Sequence, residues 1–181
     1  MLHLFLAPGF EEIEALVTLD VLRRCGLDVT TISIAGRRMV PGVHNIAVTA
    51  DDLFRVSALE SSEGLILPGG MPGAQNLMQH DGLLRQLLAH NQKGTLIAAI
   101  CAAPMILGKL GILNGRQATC YPGFEAYLQG AKVTGDLVVS SDNIITGKGP
   151  GASFPFAFEI ASRFVSRELV ERVKFDMHLE G

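Results

Sequence analysis

The stretch "TLIAAICAAPMILGKLG", residues 95–111, joins an apolar run typical of a buried strand to a second run typical of a helix. Cys101 stands at the junction between the two. In sheets of parallel strands, sites lie just beyond the carboxyl ends of the strands, where such junctions occur. The position therefore favours one of two roles for Cys101: a reactive thiol, or a small apolar residue that fills a tight turn.

Strand-like and helix-like runs alternate outward from this stretch in both directions. The pattern predicts buried strands at 2–7, 28–36, 63–70 and 95–100 and further strand segments at 136–140 and 143–149. It also predicts helices at 11–26, 103–110 and 149–169, and one or two helices over 74–94. In the last helix, the apolar stripe of Phe154, Phe158, Ala161 and Val165 is expected to pack against the sheet. Continuous apolar strands alternating with helices indicate a parallel sheet covered on both faces.

The predicted fold is a three-layer, flavodoxin-like α/β sandwich with a mainly parallel central sheet and a nucleophile elbow at Cys101. No linker or internal repeat interrupts the pattern, so we expect a single domain over residues 1–181. A hydrophobic content of 48% and a charged content of 18% are typical of a globular protein with a large core.

Composition also argues against several classes of function. The net charge is −3 and the basic residues are scattered, so no nucleic-acid footprint is expected. The longest apolar run, 96–107, contains Pro104 and is short of the roughly twenty residues that span a bilayer. The N-terminal residues lack the pattern of a signal peptide. Three cysteines without a CxxC pair fit a reducing compartment, so a cytoplasmic location is expected.

Two further segments should meet Cys101 at the carboxyl edge of the sheet. They are "PGFEE" (8–12), after the first strand, and "PGG" (68–70), at the end of the strand-like run that begins at residue 63. Gly69 and Gly70 would allow close approach of backbone to a ligand, which makes Gly69 a candidate pocket residue. The N–H groups of Gly70 and Ala102 could then form an oxyanion hole at the cysteine. The alternative is an ordinary glycine turn that needs positive φ.

Glu14 is the candidate partner of the thiol because it lies on an apolar helical stripe with Val17, Thr18 and Val21. A surface carboxylate is the ordinary alternative, and Glu11 and Glu12 are interpreted in that way, as surface charges of the first turn. Two negative charges in contact repel by roughly 4–5 kcal/mol at an effective dielectric near 20. We therefore expect a neutral Glu14 beside a thiolate whose pKa is lowered by the following helix.

The motifs resemble those of the ThiJ/PfpI family, within the class I glutamine amidotransferase-like superfamily. They are "APGFEEIEA" (7–15), "VLRRCG" (21–26), "LPGGMPGAQNL" (67–77), "AAICAAP" (98–104) and "GKGPGASFPFA" (147–157), in the order of that family. The resemblance runs from about residue 2 to 175 and is greatest to the subfamily of the parkinsonism-associated protein deglycase. It implies that Cys101 is the nucleophile, Glu14 its buried partner, and Gly70 and Ala102 the oxyanion amides. It also implies a cytoplasmic homodimer.

Two departures limit what the resemblance implies. Many relatives carry a histidine in the loop that contains Tyr121 here, and a phenol is a poor base at neutral pH. Tyr121 is therefore only a candidate pocket residue. The protease-like branch has a histidine directly after the cysteine, where this chain has Ala102, which argues against peptidase activity.

The remaining cysteines and histidines are given no role in chemistry. If Tyr121 faces the crevice, strand alternation turns Cys120 away from it, and Cys25 and Cys120 are both interpreted as structural. A His-x-Glu occurs at His178 and Glu180, in a position typical of a frayed tail. Four histidines are in no ligand-like pairing, so no metal and no cofactor are expected; they are His3, His44, His80 and His90.

Two functions fit these residues. The first is an enzyme acting on α-oxoaldehydes such as methylglyoxal, or on their early adducts with proteins, through attack of Cys101 on the aldehyde. The second is a non-enzymatic redox sensor or redox-regulated chaperone in which Cys101 becomes a sulfinic acid held by Glu14. The same residues serve both, and the sequence does not separate them.

Overall fold

The computed structural model describes residues 1–179 and contains a seven-stranded central sheet with helices between its strands. The strands are β1 Leu2–Leu6, β2 Val29–Ser33, β3 Met39–Pro41, β4 Ala47–Thr49, β5 Asp52–Leu53, β6 Gly64–Leu67, β7 Leu96–Ile100, β8 Gln117–Ala118, β9 Lys132–Val133, β10 Val138–Ser141 and β11 Ile144–Gly147. The helices are α1 Glu12–Arg24, α2 Val56–Leu59, α3 Gly73–Met78, α4 Asp81–Lys93, α5 Pro104–Lys109, α6 Ser153–Ala161 and α7 Arg167–Asp176. Short 3₁₀ turns cover Glu125–Tyr127 and Pro150–Ala152.

The strand order of the central sheet is β10-β11-β7-β6-β1-β2-β5. Every neighbouring pair is parallel except β10 with β11, which pair antiparallel at one edge. All residues of β1 and β7 are buried, as expected where helices cover both faces of a sheet. The predicted flavodoxin-like sandwich with a mainly parallel sheet is therefore confirmed.

The strand order reverses direction at β1. The chain goes from β1 to β2 on one side, then returns to β6 on the other side and continues to β7 and β11. A crevice opens at such a switch point, beyond the carboxyl ends of the strands. The segments that follow β1, β6 and β7 therefore lie together at the same edge of the sheet, and they carry the predicted site residues.

The prediction of one continuous helix over residues 149–169 is wrong. The chain instead forms a 3₁₀ turn, then α6, and then the separate helix α7 capped by the side chain of Ser166. The predicted stripe is also wrong at Phe154, which is 37% exposed, whereas Phe156 is fully buried. The inward face of α6 contains Phe156, Ala157 and Ile160, because the helix packs against both α1 and the sheet.

A small antiparallel hairpin of β3 and β4 lies beside the start of α1. An isolated bridge pairs Phe10 with Gly42, and the N–H of Val43 donates to the carbonyl of Phe10 at 2.8 Å. The N–H of Gly9 donates to the carbonyl of Pro41 at 2.8 Å. The hairpin is thus attached to the turn that follows β1, next to the crevice.

Candidate active site

Cys101 is the residue that turns β7 toward α5. Its φ is 65°, a left-handed value that costs a residue with a side chain of the order of 1–3 kcal/mol and is concentrated at functional sites. Its N–H donates to the carbonyl of Gly147 and its carbonyl accepts from Tyr121, both at 2.9 Å, so the strained turn is held on both sides. Cys101 is 8% exposed and faces the crevice. This is the geometry of a nucleophile elbow.

Glu14 is completely buried beside Cys101. One carboxylate oxygen, Oε2, accepts the N–H of Gly69 at 2.7 Å. The other oxygen, Oε1, is buried and has no hydrogen-bond partner within residues 1–179. The position of Gly69 explains why glycine is required there: a Cβ would lie 2.6 Å from Cys101 Cβ and 2.8 Å from Glu14 Oε2. Gly69 thus lies against both the thiol and the carboxyl, and its N–H anchors the carboxyl.

The two predicted oxyanion amides are both located at the sulfur. Hydrogen bonds from the N–H groups of Gly70 and Ala102 act on the thiol of Cys101 and favour its thiolate. Gly70 has a φ of 84°, and a Cβ there would collide with the backbone N of Glu11 and lie 2.6 Å from the carbonyl of Gly9. The turn after β6 therefore requires glycine for its conformation and for its close approach to the turn after β1.

The thiol and the carboxyl shift the pKa of each other. Burial raises the pKa of Glu14 from its usual 4.5 to about 7, although hydrogen bonds from Cys101 and Gly69 oppose this. Burial, and then the charge of an ionised Glu14, raise the pKa of Cys101 to about 12. The expected lowering of the thiol pKa is therefore not observed next to an ionised Glu14. The α5 helix has only six residues, and its dipole does not outweigh the burial and the neighbouring charge.

The two groups shift the pKa of each other and therefore titrate as a pair, and the surrounding donors bear on which group holds a proton. The sulfur faces the N–H groups of Gly70 and Ala102, whereas Oε1 of Glu14 faces no donor within the described residues. An ionised Glu14 would place charge on an unpaired, dry oxygen, which is costly. However, with a pKa of about 7 for Glu14 and about 12 for Cys101, the carboxyl loses its proton before the thiol does, so these values do not favour the expected neutral Glu14 beside a thiolate.

Tyr121 lies at the mouth of the crevice and is 46% exposed. Its ring covers Gly149 and forms an edge contact with Phe124, with centroids 6.5 Å apart. Cys120 and Tyr121 lie beyond the end of β8, so strand alternation does not apply to them; Cys120 is nevertheless buried, and Cys25 is buried as well. Burial raises the pKa of both of these thiols. Neither of the two thiols is favoured as a thiolate.

The interpretation of Glu11 and Glu12 as surface charges is wrong. Glu11 caps α1 by accepting the N–H of Glu14 at 2.7 Å, and only 7% of the residue is exposed. Glu12 is 4% exposed and accepts the backbone N–H of His44 at 2.7 Å and the ring Nδ1–H of His44 at 2.8 Å. The attached hairpin buries both side chains, and no local pattern in the first helical turn indicates this.

The other histidines differ in their surroundings. His3 and His90 are buried, and each ring bonds a neighbouring hydroxyl, that of Ser62 or Thr95. The ring of His80 caps α4. His44 instead contacts two carboxylates, so the expectation that it has no ligand-like neighbour is wrong. His178 is exposed, and Glu180 of the proposed His-x-Glu lies outside the described residues.

Comparison with known proteins identifies the family of this chain. A profile described as the DJ-1/PfpI family matches residues 2–163. The chain belongs to the DJ-1/PfpI family. It is 37% identical over 171 residues to protein dj-1beta of Drosophila melanogaster, covering 93% of this chain and 91% of that protein. It is 35% identical over 151 residues to the glutathione-independent glyoxalase DJR-1.2 of Caenorhabditis elegans, covering 83% of this chain and 80% of that protein.

The fold agrees equally well with solved DJ-1 structures. The structure of Toxoplasma gondii DJ-1, described as oxidized, superposes with a TM-score of 0.91 at 32% identity, covering 97% of this chain and 96% of that one. The resemblance inferred from the motifs is therefore confirmed. Within the described residues of this DJ-1/PfpI chain, no helix is long and apolar enough to cross a bilayer.

Proposed function

We propose that this DJ-1/PfpI protein is a cysteine-dependent enzyme that converts α-oxoaldehydes such as methylglyoxal, free or as early adducts of protein thiols and amines. The observation that carries the proposal is the Cys101–Glu14 pair, in which a buried carboxyl with a raised pKa lies beside a thiol at a strained elbow. A relative named as a glutathione-independent glyoxalase supports the same class of substrate.

In the first step, the thiolate of Cys101 attacks the aldehyde carbon. The electrons of the carbonyl double bond move to its oxygen, which the N–H groups of Gly70 and Ala102 stabilise. Glu14 then gives its proton to that oxygen, so the product is a neutral hemithioacetal beside a Glu14 carboxylate. A proton has moved from Glu14 to the substrate, a C–S bond has formed, and the C–O double bond has become a single bond.

In the second step, the carboxylate of Glu14 removes the hydrogen of the former aldehyde carbon and returns it to the adjacent ketone carbon. The hydroxyl proton of the hemithioacetal moves to the ketone oxygen, which leaves a thioester of lactate on Cys101. Water then hydrolyses the thioester to lactate and restores the thiol. The aldehyde carbon is oxidised and the ketone carbon is reduced, so the electrons balance without a redox cofactor, and none is proposed.

The test is the formation of lactate from methylglyoxal by purified protein, because buffer-catalysed reversal of adducts releases methylglyoxal and forms no lactate. We expect Cys101→Ser to abolish lactate formation and Cys120→Ser, which alters a buried thiol of the same chain, to preserve it. Equal rates of lactate formation in the wild-type and Cys101→Ser proteins would exclude the enzymatic function.

The second candidate is a redox sensor or redox-regulated chaperone, in which oxidation of Cys101 to the sulfinic acid changes a function of the protein. The protonated carboxyl of Glu14 could donate a hydrogen bond to a sulfinate oxygen, which is the observation that favours this function. A DJ-1 structure described as oxidized supports it. Absence of lactate formation, together with selective oxidation of Cys101, would favour this candidate over the enzyme.

A homodimer and a cytoplasmic location are part of the same proposal. Ile13 and Leu16 on α1 and Ile46 beside the hairpin are exposed apolar residues on elements that are attached to each other. Such side chains are typical of an interface between subunits. Sedimentation of the purified protein tests the homodimer, and a mass equal to one chain at micromolar concentration would contradict it.

A further inference from the structure

A small cavity of about 250 Å³ opens beside the crevice that contains Cys101. Its walls are Tyr121 with Pro122, Leu137, and residues 148–152, which lead into α6. We propose, on the basis of the function proposed above, that this cavity holds the substituent on the ketone carbon of the α-oxoaldehyde. It thereby recognises substrates with an apolar substituent larger than methyl, such as phenylglyoxal.

Backbone hydrogen bonds attach two walls of the cavity to Cys101. The carbonyl of Cys101 accepts the N–H of Tyr121, and the N–H of Cys101 donates to the carbonyl of Gly147, both at 2.9 Å. Gly149 is only two residues beyond Gly147, a span of at most about 7 Å. The positions of Tyr121 and Gly149 are therefore fixed relative to the nucleophile, and the cavity begins next to it.

The covalent adduct determines which part of the substrate can enter the cavity. In the hemithioacetal, the former aldehyde carbon is bonded to the sulfur of Cys101, and the ketone carbon is the next atom along. The substituent on the ketone carbon therefore extends farthest from the sulfur. A methyl group is about the size of a water molecule, whose share of liquid volume is about 30 Å³, so it fills only a small part of the cavity. A phenyl ring fills much more of it.

The walls favour an apolar substituent over a charged one. Tyr121 contributes an aromatic ring and Leu137 an aliphatic side chain, each about half exposed. Lys148 is the one charged side chain among the described residues that line the cavity, and its Nζ already donates to the carbonyl of Gly135 at 2.9 Å. Apolar and aromatic walls with few polar groups are typical of sites for small organic ligands. An aromatic substituent can also form an offset or edge contact with Tyr121.

The cavity is formed before a substrate binds. The N–H of Lys148 donates to the carbonyl of Leu137 at 2.9 Å, and the N–H of Ala152 donates to the carbonyl of Gly149 at 2.8 Å. A Cβ at Gly149 would lie 3.0 Å from the ring of Tyr121, so glycine leaves room for the ring. Preformed walls lose little conformational freedom on binding. The exposed apolar residues assigned above to the subunit interface do not line the cavity.

The kinetic test compares kcat/KM for phenylglyoxal, which gives mandelate, with kcat/KM for methylglyoxal, which gives lactate. The change in this ratio between proteins is independent of the different intrinsic reactivity of the two aldehydes. Tyr121→Ala removes the aromatic wall, and Leu137→Asp places a charge beside the phenyl ring. Each should lower the ratio by about tenfold, the usual effect of losing a contact in an apolar pocket. The matched control is Tyr127→Ala, which removes another exposed ring that does not line the cavity and should leave the ratio unchanged.

A binding measurement decides the case independently of turnover. Acetophenone, which has the phenyl ketone but no aldehyde, is titrated into the full chain with Cys101→Ser while backbone amide resonances are recorded. The amides of Gly149 and Gly151 should shift at concentrations at which acetone has no effect. Adding Leu137→Asp should abolish the shifts.

The outcomes separate this inference from the proposed function. The inference is overturned if the ratio of kcat/KM values is the same in the wild-type, Tyr121→Ala and Leu137→Asp proteins, or if acetophenone leaves Gly149 and Gly151 unshifted. Failure of the wild-type protein to convert either aldehyde would instead overturn the proposed function. The acetophenone titration then decides by itself whether the cavity binds a phenyl ketone.

Discussion

The two oxygens of the Glu14 carboxyl have different surroundings. Oε2 accepts a hydrogen bond from the N–H of Gly69, whereas Oε1 has no hydrogen-bond donor among residues 1–179. A proton on Oε1 would turn this unpaired acceptor into a hydrogen-bond donor. The sequence places Glu14 on a buried stripe and opposite a cysteine, which is enough to predict a shared proton. It does not show which oxygen is anchored, because that depends on the backbone of a turn 55 residues away.

Substitutions of Glu14 should separate the effect of its charge from the effect of its ability to donate a hydrogen bond. Glu14→Leu removes both, so the Cys101 thiol should titrate alone in a buried site, with its pKa above the usual value of about 8.5. Glu14→Gln retains an N–H donor but no transferable proton, so it should preserve more thiolate than Leu while lactate formation is lost. Thiolate absorbance against pH and peptide mass spectrometry after mild peroxide measure both effects. An unchanged titration and oxidation profile of Cys101 in the Leu variant would show that Glu14 is not its partner.

At the scale of elements, the first turn of α1 contains three glutamates with three different surroundings. Glu11 caps the helix, Glu12 holds the hairpin, and Glu14 faces Cys101. Apolar periodicity predicts the helix and the inward position of Glu14, because these depend on local spacing. It cannot predict the burial of Glu11 and Glu12, because the hairpin that covers them is a separate segment with little apolar pattern. The prediction that Phe154 packs inward is wrong for a related reason, because the packing of α6 on α1 determines which face of α6 is buried.

The substitution Gly70→Ala tests whether the amide of Gly70, in the turn after β6, stabilises the oxyanion. Its Cβ would displace the backbone and move the amide that faces the sulfur, so lactate formation should fall by about 10²-fold, the effect of losing one oxyanion donor. Alkylation of Cys101 by iodoacetamide, which requires only a thiolate, should fall much less. Gly36→Ala is the matched control, since Gly36 also has positive φ, at 71°, but has open space around it. If lactate formation and alkylation fall equally in Gly70→Ala, the oxyanion role is wrong.

At the scale of the whole molecule, the parallel sheet and its switch point follow from apolar runs that alternate with helices. The convergence of Glu14, Gly70 and Cys101 then follows from topology, since the carboxyl ends of β1, β6 and β7 lie at one edge. The sequence pattern therefore predicts which residues meet. Their protonation depends on burial and on individual donors, which no single segment of the sequence determines.

The raised pKa of Glu14 should make the stability of the whole protein depend on pH. In the folded state the pKa is about 7, and in the unfolded chain it is near the usual 4.5. A carboxyl with a raised folded pKa stabilises the protein fully below the unfolded pKa, and this contribution is lost as pH rises through the folded pKa. The difference of about 2.5 pKa units corresponds to roughly 3 kcal/mol of unfolding free energy.

Urea unfolding of the wild-type and Glu14→Gln proteins at about pH 4.5 and about pH 8 isolates this contribution, because the contributions of the other titratable groups cancel between the two proteins. The Gln variant should become more stable relative to the wild type by up to that amount at the higher pH. A difference in unfolding free energy that is the same at both pH values would mean that Glu14 titrates normally and holds no shared proton.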